Sequence, residues 1–123
     1  MNLAVARTVL FAAGFALWAL TSALPLADAV REGWDRPIYW QVGLPLVFAV
    51  QACVVLFSLE RVALAPLWVL LGHALAMLFV HPPGTSLGLL PLAIVFGGLP
   101  LYVALFVAAL MGRMVRRLTR PAR

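Results

Sequence analysis

Four long apolar runs without a single charged residue govern what this chain can fold into. They cover residues 8–27, 38–59, 62–80 and 87–111. A helix rises 1.5 Å per residue, so ~20 apolar residues cross a ~30 Å hydrocarbon core, and a charge at the centre of such a helix costs ~2.5–3.5 kcal/mol. The nine arginines and four acidic residues all lie between or beyond the runs. The expected fold is all-α: one domain, a four-span transmembrane helix bundle with a basic tail at 112–123.

Composition excludes the alternatives. Hydrophobic residues make up 65% of the chain, and the mean hydropathy is +1.07. A water-exposed surface of a domain this small needs far more polar groups. Every basic residue is arginine. With the wealth of Ala and Leu, this is the composition of a GC-rich bacterial genome, so a bacterial inner membrane is expected. The +5 charge does not indicate nucleic-acid binding, because the arginines flank spans where membrane topology places them.

Seven arginines (Arg7, Arg61, Arg113, Arg116, Arg117, Arg120 and Arg123) share one side of a four-span topology, against Arg31 and Arg36 on the other. The positive-inside rule then predicts cytoplasmic N- and C-termini. The first run is read as a retained span, although Ala27-Asp28-Ala29 resembles a cleavage site, because signal peptides use an apolar core of only ~7–15 residues.

Trp34, Tyr39 and Trp40 cluster where the first connector meets the second run, as an interfacial aromatic belt would. The second and third spans are joined by a very short turn within 59–65, and Pro66 suits the first turn of the helix that follows. His81-Pro82-Pro83-Gly84 breaks the chain again before the fourth run. Short connections predict neighbouring helices lying side by side. A faint duplicated helical hairpin can also be read. Gly14-Phe15-Ala16-Leu17 recurs as Gly72-His73-Ala74-Leu75, and Gly43-Leu44-Pro45-Leu46 as Gly98-Leu99-Pro100-Leu101. His73 then aligns with Phe15, and Gln51 with Phe106.

Few residues can carry chemistry. In size and span count alone the chain resembles the small multidrug transporters, but no run holds the membrane-embedded glutamate on which that family relies. P-loop and metalloprotease motifs are missing. The single cysteine, Cys53, provides neither a disulfide nor a thiolate metal site, and no metal is expected. His73 and Gln51 are the intramembrane polar candidates, at similar depth and within reach of each other across the short turn. The bland role is a hydrogen bond that fixes helix register, worth ~0.6 kcal/mol on average. The sharper roles are quinone or proton handling, or haem ligation through His73. Haem needs a second subunit, since His81 lies two turns away on the same helix, and no cofactor is expected by default.

Pro45, Gly97, Gly98 and Pro100 are the candidate helix kinks. Gly72, Ala76, Ala104, Ala108 and Gly112 are small residues suited to close helix packing. Arg113, Arg116, Arg117, Arg120 and Arg123 read as topology determinants and lipid-headgroup contacts. The functional expectation is a non-enzymatic accessory or structural subunit acting through helix–helix contacts. The alternatives are a small oligomeric transporter or channel for neutral or lipid-like cargo, and an electron-transfer or quinone-site subunit using His73. Expected partners are the lipid bilayer and copies of itself or a larger membrane complex.

Overall fold

A computed structural model describes residues 1–23, 36–80 and 90–119, the side chains of 90–94 excepted. The protein is all-helical among these residues. Helix α1 spans Leu3–Ala23, α2 Leu44–Phe57, α3 Ala65–Phe79 and α4 Leu90–Thr119. Three of the apolar helical stretches are long enough to cross a membrane, and α3 is shorter. The His81–Gly84 breaker, Trp34, Arg120 and Arg123 lie outside the described residues.

Each helix follows from its local sequence. The Asn2 side chain accepts the Ala4 N–H at the start of α1 (3.0 Å), as an N-terminal cap does. Pro66 sits in the first turn of α3. Ahead of α2, residues Tyr39–Gly43 form one π-helical turn, and the Leu44 N–H reaches back to the Tyr39 carbonyl. Pro45 explains this wider turn, since its ring would clash with the Gln41 carbonyl in α register and it has no N–H to donate. Helix α4 runs unbroken through Gly97, Gly98 and Pro100. Its 30 residues make it ~45 Å long, well over the ~30 Å of hydrocarbon. Arg113, Arg116 and Arg117 are therefore carried on helix rather than on a loose tail.

The helices form a ring in the order α1, α3, α4, α2, with the tightest pairings between α1 and α3 and between α2 and α4. Arg7 and Trp18 of α1 touch Trp68 of α3 and Val80 just past its end in the same order, so this pair is parallel. The short α2–α3 connector thus joins helices across the ring's diagonal, which differs from the side-by-side hairpin expected of so short a turn. Glycine explains why the parallel pair wins. A Cβ on Gly14 would collide with the Val69 carbonyl, and one on Gly72 with the Phe11 carbonyl. Such backbone-to-backbone approach is the main attraction available where lipid solvates every apolar side chain equally well. Gly112 does the same against the Ala52 carbonyl between α4 and α2.

The connector is fastened from three sides. Arg7 Nε donates to Glu60 Oε2 at 2.7 Å, the N-terminal ammonium to the Phe57 carbonyl at 3.0 Å, and Arg116 to the Ser58 carbonyl. Leu20, Phe57, Phe79 and Leu118 point outward with most of their surface exposed, the pattern of helices whose outer solvent is hydrocarbon.

Candidate ligand cavity

The two halves of the bundle differ in how the paired glycines Gly43 and Gly98 are covered. At Gly43, the Leu17 side chain of α1 fills the groove, its Cδ1 only 2.6 Å from where a Cβ would stand. Gly98 occupies the matching place in the repeated sequence, yet among the described residues a Cβ there would meet nothing within 4 Å. The counterpart of Leu17, Leu75 of α3, is instead 37% exposed. The result is a cavity of about 850 Å³ bounded by the π turn and start of α2, by α3, and by α4 around Pro100. That volume lies in the range of sites for drug-sized molecules, ~300–1,000 Å³. Phe96 and Leu99, both in its wall, are 71% and 69% exposed, so it opens sideways.

His73 is part of the wall and is 6% exposed. The Trp18 ring meets it edge-on with centroids 5.4 Å apart, and the Tyr39 ring at 5.9 Å. One ring nitrogen is hydrogen-bonded to the Gly14 backbone. The Gly14 N–H is occupied inside α1, so the ring N–H donates to the Gly14 carbonyl. The other nitrogen, Nδ1, is buried and has no partner among the described residues. In the neutral ring it is an acceptor, and leaving such a group unmatched costs ~1–3 kcal/mol. Pro100 adds a second feature, because it cannot donate to the carbonyl of Phe96 and both residues line the cavity. Among the described residues no Asp, Glu, Lys or Arg lines the wall.

The other candidates are distributed as follows. Gln51 is buried but belongs to a different seam, where its Nε2 donates to the Leu105 carbonyl at 2.6 Å, while Oε1 has no partner among the described residues. The diagonal geometry separates it from His73, so the two do not meet. Gly72, Ala76, Ala108 and Gly112 are buried inside the chain, and Ala104 lines the cavity. Pro45 lies beyond the cavity wall. Among the described residues no three His, Cys, Asp or Glu side chains gather as metal ligands would.

Two residues were not singled out by the sequence. Tyr39 was expected in an interfacial belt with Trp40. Trp40 is 57% exposed and Tyr39 only 2%, because successive residues on a helix point in different directions and only one can face outward. Glu60 is 1% exposed and paired with Arg7. A lone acid in a short turn on the arginine-rich side was the available signal. No protein family, curated protein or solved structure matches the chain.

Proposed function

We propose that the protein binds a neutral, lipid-like molecule carrying a hydroxyl group, admitted sideways into the cavity between α2, α3 and α4. This is the ligand-handling form of a small carrier for lipid-like cargo, set in a bacterial inner membrane with both termini cytoplasmic. The observation that carries the reading is the acceptor Nδ1 of His73, buried and unmatched among the described residues, in the wall of an apolar space of about 850 Å³. An apolar body fits the wall, and one hydroxyl donor matches the lone pair once the rings packed on the imidazole shift to uncover it. An ionised ligand would find no opposite charge among the described residues of the wall. An accessory role exercised through small-residue faces has less support, since Gly72, Ala76, Ala108 and Gly112 serve seams within the chain.

Two photoreactive probes test this on the detergent-purified protein: a diazirine-bearing long-chain alcohol and its methyl ether, which lacks the donor. The alcohol should label the α4 stretch around Phe96–Tyr102 more strongly than the ether, and His73→Phe should abolish that preference. Equal labelling by both probes in the unmodified protein would defeat the proposal.

A further inference from the structure

The opposite end of the bundle holds a second recess, of about 380 Å³, lined by Leu59 and by Arg113, Arg116 and Arg117. It lies where α2 ends and α4 runs beyond the apolar core. Glu60 is the only carboxylate side chain among the described residues, and it is turned inward onto Arg7. Three guanidinium groups therefore border one recess while the sole described acid is committed to a fourth arginine. The wall on the apolar side is Leu59, 72% exposed, with Phe57 (64%) and Met114 (60%) also exposed nearby in the chain. Arg116 donates to the Ser58 carbonyl, which ties its helix to the connector.

Guanidinium forks match phosphate oxygens in geometry and charge, and the overlength of α4 brings these forks to the level of the headgroups. A free anion would use the arginines but gain nothing from the exposed apolar surface beside them. We infer that this recess holds the phosphate of an anionic glycerophospholipid, its oxygens on Arg113 and Arg117 beside the engaged Arg116, and its glycerol and first acyl carbons on Leu59. The site is separate from the cavity and does not depend on what fills it.

Native mass spectrometry of the delipidated full chain, titrated with dioleoyl phosphatidylglycerol, dioleoyl phosphatidylcholine or inorganic phosphate, tests the assignment. Arg113→Gln with Arg117→Gln should weaken phosphatidylglycerol binding by about tenfold or more, for two lost charge-assisted contacts. Arg61→Gln removes a charge on the same side of the bundle, at an exposed position that does not line the recess, and should change binding less than about twofold. Leu59→Glu, at an exposed position, should block the site with every arginine in place, so the result does not hang on one variant folding. A loss in Arg61→Gln as large, per charge removed, as in the recess pair would reduce the effect to diffuse attraction and overturn the assignment. So would the lack of any preference for phosphatidylglycerol, or inorganic phosphate binding as tightly as the lipid.

Discussion

Gly14 and Gly72 hold equivalent places in the seam between α1 and α3. Gly14 abuts the Val69 carbonyl and Gly72 the Phe11 carbonyl, and a shift of 58 positions (14 to 72, 11 to 69) turns one contact into the other. The repeated Gly-x-Ala-Leu sequence thus has a spatial meaning: two parallel helices meet through the same surface on each.

Neither glycine has room for a methyl group. Gly14→Ala and Gly72→Ala should each destabilise the bundle by about 1–3 kcal/mol, the usual cost of overpacking. Thermal unfolding in detergent, with Gly98→Ala as the control, checks this. The control has open space at its Cβ and should be neutral or slightly stabilising, since Ala is a better helix former than Gly.

Arg7 and Glu60 should be energetically coupled. Glu60 is almost fully buried, while the Arg7 side chain is 41% exposed, so water screens part of the interaction. A double-mutant cycle with Arg7→Met and Glu60→Gln should give about 1 kcal/mol or more of coupling. Arg7→Met alone should cost more than the double variant, because it leaves a buried carboxylate without its partner. A coupling of zero would remove the pair from the account of the connector.

His73 and Gln51 should be uncoupled. They lie in separate seams, so the effects of His73→Ala and Gln51→Ala on stability should add to within about 0.5 kcal/mol. Gln51→Leu gives up a bond to the Leu105 carbonyl but also removes an unmatched oxygen. It should change stability by less than about 1 kcal/mol in a melting experiment.

The sequence made the helices legible because the bilayer imposes a length and forbids charge, and both constraints act on each run separately. The apolar run ending at residue 111 marks the span and not the end of the helix. Arginine is a good helix former and suits the negative end of the helix dipole, so α4 continues to Thr119. Helix order around the ring was not legible. It depends on which glycines meet which carbonyls, and a short turn was taken to imply adjacency that the Gly14–Val69 and Gly72–Phe11 contacts override. His73 stood out by its polarity and its depth within the third run. Its surroundings were hidden, because they arise where Leu75 fails to repeat what Leu17 does at Gly43.

Reporter fusions should place the N-terminus, the C-terminus and the Glu60–Arg61 turn on the same, cytoplasmic side, as the arginine distribution requires. A C-terminus on the opposite side from the N-terminus would contradict four spans.

The most direct test of the central claim is to fill the cavity without disturbing the fold. Gly98→Leu places a side chain in open space within the wall and replaces a poor helix former with a good one. The measurement is labelling of α4 by the photoreactive long-chain alcohol, taken together with the melting temperature of the same sample. The account predicts a protein that melts at or above the temperature of the unmodified chain and has lost the label between Phe96 and Tyr102. A stable Gly98→Leu protein that is labelled there as strongly as before would contradict it.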